Sequence, residues 1–162
     1  MGFALPAAIG ATLGTGKRSI VIVGDGGFQM NIQELEVIKR RNLPIKIFIF
    51  NNASLGMVRL QQETYNEENY VGTEKDYSAP DFKAIGTAYG IKSHEASGEQ
   101  EISEIIASSL ANDESELIDI KLTDAKNRLE PRLAIDRPME DMYPYMDREI
   151  LNELMIVKPI IE

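Results

Sequence analysis

Two short β-branched runs, Ser19-Ile20-Val21-Ile22-Val23 and Ile45 to Phe50, constrain this chain more than any other feature. Neither shows the apolar–polar alternation of a half-exposed strand. Both therefore predict strands covered on both faces, as in a parallel sheet layered with helices. Each run ends in a polar signature. Gly24-Asp25-Gly26 follows the first and Asn51-Asn52 the second, with twenty-four residues between them. That interval holds one helix and one strand, so the two signatures meet at the carboxyl ends of adjacent parallel strands.

The remaining pattern repeats the strand–helix alternation. Phe3 to Leu13 reads as a buried helix, with Pro6 tolerated in its first turn and Gly14-Thr15-Gly16 ending it. Gly24 to Gly27 reads as a turn. A helix from Asn31 to Arg41 carries the stripe Ile32, Leu35 and Ile38, and Asn42-Leu43-Pro44 breaks it. Leu55 to Gln62 is a short helix, and Tyr65 to Ser78 is an ordered polar loop. A further helix starts at Ala79-Pro80-Asp81-Phe82 and runs to Tyr89 before Gly90. Ser93 to Ala96 is an edge segment, Glu99 to Leu110 a helix, and Leu117 to Leu122 the last strand. The fold class expected is α/β: a doubly wound, mainly parallel sheet flanked by helices. From Lys126 the periodicity is lost, and Pro131, Pro138, Pro144 and Pro159 punctuate an extended arm with one helix near Arg148 to Met155. Residues 1–125 thus form the domain. Residues 126–162 form a tail that packs on it or on a partner, with Met139 to Met142, Tyr143 and Tyr145 as its contact-forming part.

Composition narrows the chemistry. At 162 residues the chain can bury a full core. A net charge of −9 and a pI near 4.7 argue against nucleic acid, which requires a concentrated basic face. There is no cysteine, which excludes disulfides, thiolate metal sites and thiol nucleophiles. His94 is the only histidine; it lies away from the Asp25 and Asn52 edge and reads as a surface or satisfied side chain. The apolar runs are too short to span a bilayer, and Met1 to Gly16 lacks a basic leading segment, so a cytoplasmic location is expected.

In open α/β sheets ligands bind beyond the carboxyl ends of the strands. Asp25 and Asn52 there offer a carboxylate and an amide oxygen, hard donors suited to Mg²⁺ or Ca²⁺, with positions left for waters and a diphosphate. Gly26 and Gly27 permit close backbone approach, and the following helix would aim its N-terminus at an anion. Each motif alone is an ordinary turn or strand exit; their placement one crossover apart makes the case. Two other phosphate motifs fail. Gly14-Thr15-Gly16-Lys17-Arg18 has Ala11 and Arg18 where a P-loop needs Gly and Ser or Thr. Gln29 breaks the continuation to G-x-G-x-x-G.

With these flanks the motifs resemble the thiamine diphosphate-dependent enzymes of the acetolactate synthase group. Met1-Gly2-Phe3-Ala4-Leu5-Pro6-Ala7-Ala8-Ile9-Gly10-Ala11, Asn52-Ala53-Ser54-Leu55-Gly56-Met57-Val58-Arg59 and Pro80-Asp81-Phe82 carry the similarity, which covers about residues 1 to 122. The resemblance implies a C-terminal, diphosphate-binding domain of thiamine diphosphate-binding fold without its opening strand. It implies Mg²⁺ held by Asp25, the Asn52 side chain and the Ser54 backbone carbonyl. The cofactor-binding set would be Met1, Gly24, Asp25, Gly26, Gly27, Asn52, Gly56 and Met57. Met1 would meet the aminopyrimidine through its backbone, and Met57 would lie near the thiazolium. The reaction implied is decarboxylation of a 2-keto acid and transfer of the acyl carbanion to a carbonyl acceptor.

Three departures qualify the resemblance. Gln61 stands where acetolactate synthases usually carry Trp, which separates this chain from branched-chain acceptor selection. Ala4 replaces a usual Gly. The activating glutamate belongs to a pyrimidine-binding domain outside this sequence, so no catalytic residue is expected here. That domain is expected in the same longer chain or on a separate subunit, within a homo-oligomer. The tail is closer to acetolactate synthase-like proteins of bacterial surface-polysaccharide pathways than to biosynthetic ones. Two other readings stand: a truncated or split cofactor-binding module without activity of its own, and a flavodoxin-like receiver or nucleotide module. The last lacks both a phosphorylatable acidic cluster and a dinucleotide fingerprint.

Overall fold

A computed structural model of the chain describes residues 1–73, 75–122 and 146–156, apart from the Thr64 side chain. The chain divides into two units, Met1–Ala125 and Lys126–Glu162. In the second, α7 (Arg148–Leu154) starts at Asp147, whose carboxylate accepts hydrogen bonds from the Glu149 and Ile150 amides. The expected contact segment from Met139 to Tyr145 lies outside the described residues.

In the first unit, the apolar composition of α1 (Ala4–Thr15) suits a packed helix, and Gly16 ends it in a left-handed conformation with φ of 67°. The strands β1 (Ser19–Gly24), β2 (Ile45–Asn51), β3 (Lys92–Ala96) and β4 (Glu116–Lys121) pair entirely in parallel, in the order β1-β2-β4-β3. Between β1 and β2 run α2 (Asp25–Gln29) and α3 (Glu34–Arg40); α4 (Gly56–Tyr65) and α5 (Phe82–Ala88) lead to β3, and α6 (Glu99–Leu110) leads to β4. Asp81 caps α5 by accepting the Ala84 amide at 2.8 Å.

Helices cover both sheet faces. Ile45, Ile47, Ile49 and Leu117 pack with Leu5, Ile9, Phe28, Leu35, Ile38 and Phe82 in one core. Phe28 and Phe82 meet edge to face at 5.3 Å. On the opposite face Phe48, Ile118 and Ile120 pack against Ile102, Ile105 and Ile106 of α6. The expected doubly wound α/β class is the observed one.

Three local expectations change. The turn at Gly24 to Gly27 is the start of α2, and the helix expected from Asn31 is confined to Glu34–Arg40. Strand β1 is not covered on both faces, since Ile20 and Ile22 are exposed on the outer strand of the sheet and α6 packs over β2 and β4 instead. Finally, both inner strands carry buried charge that their apolar runs conceal. Lys46 Nζ lies 3.1 Å from Glu116 Oε1, both inaccessible to solvent. Asn112, Lys92 and His94 surround the same carboxylate at the amino end of the sheet. His94 is thus satisfied, far along the strands from Asp25.

Candidate cofactor and metal site

Strand β1 lies beside β2 in parallel register, Gly24 opposite Phe50, so the residues leaving both strands emerge at the same sheet edge. Asp25 is the first residue of α2 and only 2% exposed. Asn52 follows β2 directly. The Asp25 carboxylate accepts a hydrogen bond from the Tyr77 hydroxyl at 3.1 Å, and the nearby backbone amides of Gly26, Ser54 and Asp25 itself favour its charged form. The two sequence signatures meet, for Leu55 Cδ2 lies 2.1 Å from where a Cβ on Gly26 would stand. Burial pushes the Asp25 carboxyl above its ordinary value, and these donors offset only part of that rise.

The loop after β2 is built from local side-chain turns. Asn51 Oδ1 accepts the Ala53 amide at 3.2 Å, and Asn52 Oδ1 accepts the Ser54 amide at 3.2 Å. Ala53 takes a left-handed φ of 49°. Ser54 is buried and its hydroxyl donates to the Thr73 carbonyl at 2.9 Å, while Leu55 N–H donates to the same carbonyl at 3.1 Å. The segment following α4 is therefore pinned against the loop, and it delivers Tyr77 to Asp25. Gln29 of α2 donates to the Tyr77 oxygen at 2.9 Å. Burial and the Asp25 charge push the Tyr77 hydroxyl up to about 12, so it is a neutral donor at physiological pH.

The glycines also serve the packing of the loops. A Cβ on Gly26 would lie 2.1 Å from Leu55 Cδ2 and 3.3 Å from both Met1 Cε and the Tyr77 oxygen. Its bare backbone thus lets the loops close on each other. Gly27 faces inward, with Val23 Cγ2 at 3.2 Å from such a Cβ, whereas the corresponding space at Gly24 is open. A Cβ on Gly56 would approach Asn52 Nδ2 at 3.3 Å. The helix containing Gly26 and Gly27, α2, is five residues long. Met1 and Met57 are 67% and 63% exposed.

Among the described residues no group of three or more His, Asp or Glu side chains could hold a metal ion. The donor set at this edge is one carboxylate, the Asn52 amide oxygen and the carbonyls of the loop. A divalent cation taken up there keeps net positive charge and open positions, which is the condition for recruiting an anionic oxygen ligand. The residues fit a metal-bridged diphosphate.

Beside the site lies a row that the sequence patterns did not reveal. Asp119 on β4 is fully buried, accepts from Asn51 Nδ2 at 3.0 Å and pairs with Lys121 Nζ at 2.7 Å. Lys121 also lies 3.4 Å from Glu95. Burial would lower the Lys121 ammonium, but Asp119 and Glu95 together hold it above its ordinary value. The available signal was the charge inside the run Glu116-Leu117-Ile118-Asp119-Ile120, because a buried carboxylate requires a partner. No helix among the described residues is long and apolar enough to cross a membrane.

Comparison with known proteins identifies the family of this domain. The family described as thiamine pyrophosphate enzyme, C-terminal TPP binding domain, matches residues 1–120. The acetolactate synthase isozyme 2 large subunit of Escherichia coli (strain K12) is 35% identical over 128 residues, covering 78% of this chain and 23% of the relative. The large subunit from Lactococcus lactis subsp. lactis (strain IL1403) is 50% identical over 93 residues, covering 57% and 16%. A solved thiamine diphosphate-dependent 4-hydroxybenzoylformate decarboxylase from Rhodococcus jostii RHA1 superposes with a TM-score of 0.69 at 30% identity, covering 75% of this chain and 23% of that one. The chain spans less than a quarter of the length of each.

Proposed function

The chain belongs to the thiamine pyrophosphate enzyme family as its C-terminal TPP-binding domain, of acetolactate synthase-like type, and from that premise we propose how it holds the cofactor. Asp25, the Asn52 side chain and the Ser54 carbonyl would hold Mg²⁺ at the β1–β2 edge, and the ion would supply positive charge to the cofactor's diphosphate. The observation carrying this reading is the close approach of the two loops, where Leu55 Cδ2 lies 2.1 Å from the position a Cβ on Gly26 would take. Gly24, Gly26, Gly27 and Gly56 keep the surrounding backbone free of side chains. Met1 would meet the aminopyrimidine through its backbone and Met57 would lie near the thiazolium; both residues are exposed.

When bound, thiamine diphosphate supplies the electron sink for decarboxylation of a 2-keto acid and for acyl transfer to a carbonyl acceptor. This chain's residues bind and orient it; the carboxylate that activates it comes from a pyrimidine-binding domain, in the same polypeptide or in another subunit of an oligomer. The names of the relatives support carboligation, and that of the structural neighbour supports decarboxylation.

Calorimetric titration of the purified chain with thiamine diphosphate tests the site. Binding is expected with Mg²⁺ and lost without it, and to weaken at least about tenfold in Asp25→Ala and in Asn52→Ala, as loss of a metal ligand requires. Unchanged affinity in both variants would refute the ligand assignment.

A further inference from the structure

The buried pair Asn51–Asp119 lies behind the proposed cation site and touches none of its ligands through a side chain. Asp119 is fully buried on β4, on the same sheet face as Ile49, its register partner. Asn51 ends β2 at 5% exposure, on that same face. Its Nδ2 donates to Asp119 Oδ1 at 3.0 Å, with Oδ2 at 3.4 Å, and its Oδ1 accepts the Ala53 amide at 3.2 Å. Both ends of the amide are committed. Flipping it would set oxygen against carboxylate and NH₂ against N–H, so its orientation is determined. Lys121 Nζ at 2.7 Å completes the carboxylate, and the Leu122 amide donates to the Asn51 carbonyl at 2.9 Å. Strand β4 thereby grips the last residue of β2 by main chain and side chain.

That grip acts where the backbone is least willing. Ala53 has φ of 49°, a conformation that a residue with a Cβ disfavours by about 1–2 kcal/mol. The hydrogen bond from its amide to Asn51 Oδ1 holds it there, and the next amide, that of Ser54, donates to Asn52 Oδ1 at 3.2 Å.

We propose that Asn51 and Asp119 are positioning residues for the cation site: the buried pair fixes the left-handed turn at Ala53 that aims the Asn52 amide oxygen and the Ser54 carbonyl at the ion shared with Asp25. This rests on the assignment of Asp25, Asn52 and Ser54 as ligands. Neither Asn51 nor Asp119 meets the cation; both act through the loop.

The test is the Mg²⁺ dissociation constant of the purified chain at saturating thiamine diphosphate, measured with the thermal midpoint of the metal-free chain. Asn51→Ala should weaken Mg²⁺ about 10- to 100-fold, the usual range when a group orienting a ligand is lost. Asn51→Asp alone should weaken it as well, by opposing two carboxylates. The exchange Asn51→Asp with Asp119→Asn should return affinity to within about threefold of the parent, because the hydrogen bond between the two positions is remade with donor and acceptor reversed while position 51 still accepts the Ala53 amide. The new amide at position 119 donates to position 51 and still accepts from Lys121. Lys46→Met, at the other end of the sheet, should lower the midpoint without changing Mg²⁺ affinity. Parental Mg²⁺ affinity in Asn51→Ala overturns the inference. If that variant does not fold, an exchange variant that folds without regaining affinity overturns it equally. A parent chain that binds thiamine diphosphate without any Mg²⁺ requirement refutes the ligand assignment and the positioning role together.

Discussion

The Tyr77 hydroxyl donates to Asp25 Oδ2 at 3.1 Å, joining the first residue after β1 to one fifty-two positions later. A cation approaching that oxygen must share it with the hydroxyl or displace it. Replacement by phenylalanine removes the competitor and keeps the ring. Tyr77→Phe is therefore expected to tighten Mg²⁺ about three- to tenfold at neutral pH, near the 1 kcal/mol net value of such a bond. Calorimetry at saturating thiamine diphosphate reads the change. Weaker binding would mean that the hydroxyl stays on the carboxylate in the loaded site and supports it.

Gly26 predicts a second effect. In Gly26→Ala the added Cβ meets Leu55 Cδ2 at 2.1 Å, so Leu55 must rotate out of its place between the two loops. Overpacking of this kind costs about 1–3 kcal/mol. Thermal unfolding should show that loss, and the same variant should bind thiamine diphosphate more weakly because Leu55 directly follows Ser54.

At the opposite end of the sheet, Lys46→Met leaves the Glu116 carboxylate buried without its fully desolvated partner. The expected loss is about 3 kcal/mol by chemical denaturation, since breaking a buried pair strands the remaining charge. Lys46→Met combined with Glu116→Leu should recover most of it. A double variant less stable than the single would show that Asn112, Lys92 and His94 depend on the charge as well.

The same carboxylate makes stability depend on pH. Burial alone would raise Glu116, but hydrogen bonds from Asn112 and Lys46 and the charges of Lys46 and Lys92 outweigh it, leaving the group below its ordinary value of 4.5. With the folded value depressed, the unfolded chain binds the proton first. The stabilisation is complete above the ordinary value and is lost as pH falls through the folded one. Denaturation free energies measured from neutral pH down into acid should fall less steeply in Glu116→Gln than in the parent. Parallel curves would contradict the assignment.

Much of this was legible from residue patterns because the deciding signals are local. The β-branched runs located β1 and β2, and Gly24-Asp25-Gly26 and Asn51-Asn52 marked the edge where they end. Partners across the sheet were not legible. Lys46 and Glu116 look like solvated residues until the register places them opposite each other, and Asp119 acquires meaning only beside Asn51. The exposure of Ile20 and Ile22 has the same origin, because strand order decides which strand lies under α6. Tyr77 sat in a loop without periodicity, and only its path past Thr73 brings it to Asp25.

The central claim is that Asp25 and Asn52 hold a cation bonded directly to the cofactor's diphosphate. Substituting Mn²⁺ for Mg²⁺ and recording electron–nuclear double resonance with thiamine diphosphate bound tests it most directly. The account predicts strong ³¹P coupling from the diphosphate in the parent chain, and its loss in Asp25→Ala and Asn52→Ala at the same Mn²⁺ concentration. Full ³¹P coupling in both variants, or none in a parent chain that binds both Mn²⁺ and cofactor, would contradict it.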